Sequence, residues 1–284
     1  MAVEGGDGAR PGVTTDGDDP RAALQAAQDA LAAVPDSVEI LDAKGRAEMA
    51  AGDHQGAITT FRKLASLQPR SALPELRLAE AYAAAKDTGA ATRSLKRAAE
   101  LQPGLVAPQR SLAQLALQDK RPQDALAIAR EMQKAHPTDP AGYALEGEIQ
   151  STTRNHEASI AAFRAATQRA PESTELQFKL HVALVDAGKG ADAERLANAW
   201  MKAHPKDTVF LFHLGDQALT MSDLPRAEAR YRAVLELVPD HALALNNLAW
   251  VLARQGKPGA VAMAEKANQL LPNRSALLDT LATA

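Results

Sequence analysis

The residues able to do chemistry form a short inventory. The chain has no cysteine, which removes thiol catalysis, thiolate metal sites and disulfides together. Its seven histidines form no His-Glu-x-x-His pair with zinc-ligand spacing. His136 and His204 each directly precede a proline at the same phase and read as helix-end residues, while His54, His156 and His241 fall among turn residues, where a solvated ring is expected. His213 is different. It follows Phe212 inside an apolar stretch, and a lone histidine there suits a binding contact better than acid–base work. Gly188-Lys189-Gly190 lacks the upstream glycine and the following Ser/Thr of a phosphate loop. Asn273-Arg-Ser matches a glycosylation acceptor, a triplet common by chance. The inventory points to no enzyme, no cofactor and no metal.

What must position these residues is visible in the prolines. Pro35, Pro69, Pro103, Pro137, Pro171, Pro205 and Pro239 recur every 34 residues, and Pro272 follows 33 later. Counted from three residues after each of these prolines, other residues fall into columns. The eighth place holds Gly45, Ala79, Ala113, Gly147, His181, Gly215 and Ala249; the twentieth is alanine or Ser159; Phe61, Leu95, Phe163 and Tyr231 share the twenty-fourth; Gly52, Gly188 and Gly256 share the fifteenth. Small residues let two helices approach, the aromatic fills the space beside them, the fifteenth place turns the chain, and the proline ends the second helix. Each half-repeat is about 13 residues, too short to be stable alone, so neighbours must stack. Drift at His181, and at Trp200 in a column of small residues that Leu64 and Met132 also break, predicts local loosening.

These columns resemble the tetratricopeptide repeat (TPR). The resemblance implies an all-α fold, a right-handed superhelix of about seven helix pairs over 20–284, with repeats at 38–69, 72–103, 106–137, 140–171, 174–205, 208–239 and 242–272 and a partial repeat at 275–284. A lone second helix, Arg21 to Val34, precedes them. Residues 1–19, with five glycines and almost no apolar side chains, predict a flexible acidic tail. A chain that opens on a second helix and stops inside a first one, with Leu277, Leu278 and Leu281 in place of a polar cap, reads as cut from a longer array.

In the TPR family the second, fifth, ninth, twelfth and thirteenth places line a concave groove that holds a protein or peptide. On this chain they are mixed in the first four repeats, with Asp42, Arg46, Leu76, Glu80, Gln114 and Glu148 among them. From the fifth repeat they turn apolar and aromatic: Phe178, Val182 and Val185, then Val209, Phe212, Asp216 and Leu219, then Leu243, Asn246 and Trp250. The candidate partner site is therefore Phe178, Val182, Phe212, His213, Asp216, Asn246, Asn247 and Trp250, an apolar anchor with amides able to pair with an extended peptide. Packing between repeats, or contact with repeats beyond the end, stays open as the plainer role of these rings. No repeat carries the lysine at the fifth place and asparagine at the ninth that clasp chaperone tails in this family.

The run Ala244-Leu-Asn-Asn-Leu-Ala-Trp250, then Gly256-Lys-Pro-Gly-Ala260, Leu271-Pro-Asn-Arg274 and Leu278-Asp-Thr-Leu281, is similar to the terminal repeats of bacterial TPR lipoproteins of exopolysaccharide and exosortase (PEP-CTERM) systems. That likeness implies an envelope scaffold, periplasmic or outer-membrane-associated, serving polysaccharide-export machinery. This chain carries neither a signal sequence nor a lipidated cysteine. A cytoplasmic peptide-binding adaptor and the TPR arm of a glycosyltransferase-type enzyme are the alternatives, and direct polysaccharide binding is open. A net charge of −3 argues against nucleic acid, and no apolar run reaches membrane-spanning length.

Overall fold

The computed structural model describes residues 20–272 and residue 280, and among these every regular element is an α-helix. Helix α1 (Pro20–Ala33) comes first. It is followed in chain order by α2 (Val38–Ala50), α3 (His54–Leu67), α4 (Ala72–Ala84), α5 (Thr88–Leu101), α6 (Val106–Gln118), α7 (Pro122–Ala135), α8 (Ala141–Thr152) and α9 (His156–Arg169). The series ends with α10 (Thr174–Asp186), α11 (Gly190–Ala203), α12 (Thr208–Thr220), α13 (Leu224–Leu237), α14 (Ala242–Arg254) and α15 (Ala260–Leu270). Contacts fall into two compact units, Met1–Glu131 and Met132–Ala284. In the first, α1 to α6 each pack on the next; in the second, α8 to α15 do the same. The expected tail at 1–19, the partial repeat at 275–284 with Leu277, Leu278 and Leu281, and the Asn273 triplet fall outside the described residues, apart from Thr280, which is buried.

The helix ends follow from the ladder. Each second helix stops two residues before its proline, and the intervening residue is pushed out of the helical region, as the residue before a proline is: Gln68 at φ −126°, Gln102 at −140°, His204 at −126°, Val238 at −133°. Aspartates cap second helices, with Asp53, Asp87 and Asp223 each accepting a backbone N–H from the first turn. Ser37, Ser71, Ser173 and Asp207 do this for first helices, and so does the imidazole of His241. His241 is therefore a capping residue and not the solvated turn residue expected from the sequence.

The turn at the fifteenth place is left-handed in every repeat. Gly52, Gly188 and Gly256 take φ of 80°, 70° and 64°. Lys86, Lys120, Arg154 and Ser222 take 62°, 58°, 58° and 60° at the same place, where a Cβ costs about 1–2 kcal/mol. Glycine here also gives up more chain entropy, so Ser222→Gly is expected to stabilise the protein by a net of about 0.5–1 kcal/mol. A higher urea midpoint would show it; a lower one would mean that the turn carries no strain.

The eighth and twenty-fourth places prove to be one steric unit. A Cβ on Gly45 would lie 2.2 Å from the Phe61 ring, on Gly147 2.7 Å from Phe163, and on Gly215 2.6 Å from Tyr231. Where the twenty-fourth residue is smaller, as with Leu95, Ala129 or Ala264, the eighth is alanine. Repeat 174–205 inverts the sizes: His181 is buried at the eighth place and Ala197 faces it from the twenty-fourth. Trp200 is buried as well, its indole N–H donating to Asp207 Oδ2 (2.8 Å) and its ring lying against His204 (centroids 3.8 Å) and Phe210 (6.1 Å). The loosening expected at His181 and Trp200 is found: α11 packs on α10 and α12 far less closely than α9 and α13 pack on their neighbours, although His181 meets a small residue and Trp200 a bonding partner.

Candidate functional site

The inner places of α10, α12 and α14 all lie in the second unit. On α14, Leu243, Asn246 and Trp250 are spaced i, i+3, i+7 and share one face; on α12, Val209, Phe212 and Asp216 do the same. Val209 is 66% exposed, Leu243 49% and Trp250 36%. The Arg254 guanidinium stands 5.4 Å from the Trp250 ring. Phe212 is half-buried between Tyr231 (5.7 Å) and the capping ring of His241 (5.0 Å). Val182 is also half-buried. Phe178 is tied into packing, edge-on to His213 at 4.2 Å and beside the Trp200–Phe210 cluster. The rings thus differ: Trp250 is open, Phe212 is half-buried at the edge of the wall, and Phe178, also half-buried, packs against His213 and the Trp200–Phe210 cluster.

The polar candidates are engaged inside the fold. Asp216 Oδ1 accepts the Tyr231 hydroxyl (2.7 Å) and the Asn247 side-chain amide (3.0 Å), and that amide also reaches the Tyr231 oxygen (3.3 Å). Burial and then Asp216 push the Tyr231 hydroxyl pKa up, so it stays a donor. Asn246 donates to Asn247 Oδ1 (3.2 Å), leaving its own Oδ1 buried without a partner, a deficit of about 1–3 kcal/mol. His213 Nε2 meets His181 Nδ1 at 2.8 Å. Burial, then the neighbouring His181, lower the His213 pKa to about 4; burial also lowers that of His181, against the pull of Glu194. Both rings are therefore neutral near pH 7, and His213 joins two repeats where a groove contact was expected.

These bonds share a pattern. The sixth place of a repeat reaches back to the first helix of the repeat before it. Arg77 Nε donates to Asp42 Oδ1 (2.8 Å), Lys179 Nζ to Glu148 Oε1 (2.6 Å), and Asn247 to Asp216, while His213 meets His181. The sixth place is not one of the groove places of the family. The signal available in the sequence was a polar residue there, 31 to 35 positions after a carboxylate or imidazole.

Among the described residues no three His, Asp or Glu side chains converge as a metal site, and no helix is long and apolar enough to cross a membrane. The tetratricopeptide repeat family profile matches residues 16–72, 76–140, 145–208 and 212–273. The chain belongs to the tetratricopeptide repeat family. This TPR chain is similar in structure to yeast Tom70, with a TM-score of 0.62 at 17% identity over 96% of this chain and 59% of that one. It is also similar to a tetratricopeptide repeat protein from Parabacteroides merdae ATCC 43184, with a TM-score of 0.52 at 16% identity over 87% of this chain and 98% of that one. Identities this low speak for the fold alone. No curated protein matches the sequence.

Proposed function

We propose that this TPR protein is a non-catalytic scaffold that holds an extended peptide or protein segment against α12 and α14. The observation that carries the reading is the exposed apolar row Val209, Leu243 and Trp250 on two successive first helices, bordered by Phe212. Such a row suits a partner that supplies alternate apolar side chains. Phe178, Val182, His213, Asp216 and Asn247 support that wall from behind or from the side. Panning a random peptide library against the protein is expected to enrich apolar side chains at alternate positions. Trp250→Ala should weaken the selected peptides by about 30-fold, the loss of one aromatic anchor worth about 2 kcal/mol, with the melting temperature little changed. Unchanged affinity, or unfolding, would remove the assignment.

The reading extends to the cell envelope, on the likeness of the segment from Ala244 to Leu281 to exosortase-system TPR lipoproteins. Recovery of the native protein with periplasmic or outer-membrane fractions supports an export scaffold. Recovery in the cytosol supports the adaptor.

A further inference from the structure

The sixth-place clasp is missing at one junction within the first unit. Between α4 and α6 the sixth place is Ser111, too short to span the gap, and the place reached from it in an equivalent junction is still acidic. Glu80 stands in its repeat where Glu148 stands in the one that Lys179 clasps, and Ser111 stands where Lys179 does. A cleft of about 190 Å³ opens there. Leu76 and Ala79 of α4, Leu95 of α5 and Leu115 of α6 supply its apolar surface, and Glu80, Gln114 and Gln118 its polar groups. About 10–15 Å³ of such space holds one water, so the cleft has room for a four-carbon stem and an ammonium head. Arg77 lies 3.4 Å from Glu80, but its Nε is held by Asp42 at 2.8 Å and the Glu80 side chain remains 61% exposed. The carboxylate therefore keeps a face open to a second cation.

We propose that this cleft receives one lysine side chain of a partner peptide, which supplies from outside the sixth-place cation that Ser111 does not. The stem lies on Leu76, Leu95 and Leu115, and the ammonium donates to Glu80 and to the amide oxygens of Gln114 or Gln118. Charge and shape complementarity favour this occupant, with the Lys179–Glu148 junction of the same chain as its template. The site is separate from the aromatic wall, which lies in the other unit.

The test is titration of the full-length ¹⁵N-labelled protein with acetyl-Gly-Lys-Gly-amide and with its norleucine isostere, which keeps the stem and loses the charge. The lysine peptide is expected to shift amides on α4 and α6 around Glu80, Ser111 and Gln114, and norleucine to bind about fivefold more weakly, the upper range for a partly exposed ion pair. Glu80→Gln should reduce lysine binding to the norleucine level. Ser111→Lys, which installs the clasp in place, should abolish it and raise the thermal midpoint. Absence of shifts, equal response to norleucine, shifts on α12 and α14 instead, or binding that survives Ser111→Lys would overturn the proposal.

Discussion

Gly147→Ala is expected to destabilise the protein by up to about 2 kcal/mol, although alanine is the better helix former by about 1 kcal/mol. The new Cβ would sit 2.7 Å from two atoms of the Phe163 ring, and a packed core answers such an intrusion with strain of about 1–3 kcal/mol. Phe163→Leu alone loses packing at a buried site. The double variant recreates the Ala79–Leu95 pair that the chain uses at the same two places. Its cost should therefore fall below the sum of the singles by at least about 1 kcal/mol. Urea denaturation of the four proteins measures the coupling, and simple additivity would mean that the two places are not one steric unit.

Mild acid should loosen the α10–α12 junction. His213 is held neutral with its pKa lowered from 6.5 to about 4, so between those values the unfolded chain binds a proton that the folded chain does not. Stability is then present in full above pH 6.5 and is lost as pH falls toward 4. For His213, still in partial contact with solvent, linkage gives a loss of about 1–2 kcal/mol between pH 7 and pH 5. The surroundings act in the same direction on balance: Phe178 and Phe210 are apolar, the second ring is His181, Arg226 and Arg230 line the small cavity beside it, and Glu194 opposes them. Asp207 acts lower on the scale. Burial raises its pKa, but bonds from the Phe210 N–H, Thr174 and Trp200 outweigh this and hold it below 3.8. His213→Asn, copying Asn247, should flatten the profile between pH 7 and pH 5. An unchanged slope would place the acid sensitivity elsewhere.

The fold could be read almost whole because its determinants repeat. A proline every 34 residues fixed the helix ends, and each column could be checked against its copies. What escaped the sequence were relations between columns. His181 looks like an error at the eighth place until Ala197 is seen across from it, and Trp200 looks oversized until its N–H is found on Asp207. Of the candidate site, Trp250 was legible as an open ring from its groove place. Phe178 and Asp216 were not, because the places that face the groove also face the neighbouring repeat, and His213 and Asn247 were not, because they stand at the sixth place, which reaches back to the repeat before. Which of the two a side chain serves depends on its length and on a partner about 31 to 35 residues away.

Hydrogen–deuterium exchange of the full chain, alone and saturated with a peptide selected on it, tests the central reading most directly. Peptide binding to the wall should slow exchange along α12 and α14 and leave the second helices α11 and α13 nearly unchanged. Protection centred on α11 and α13, or none at saturation, would contradict it.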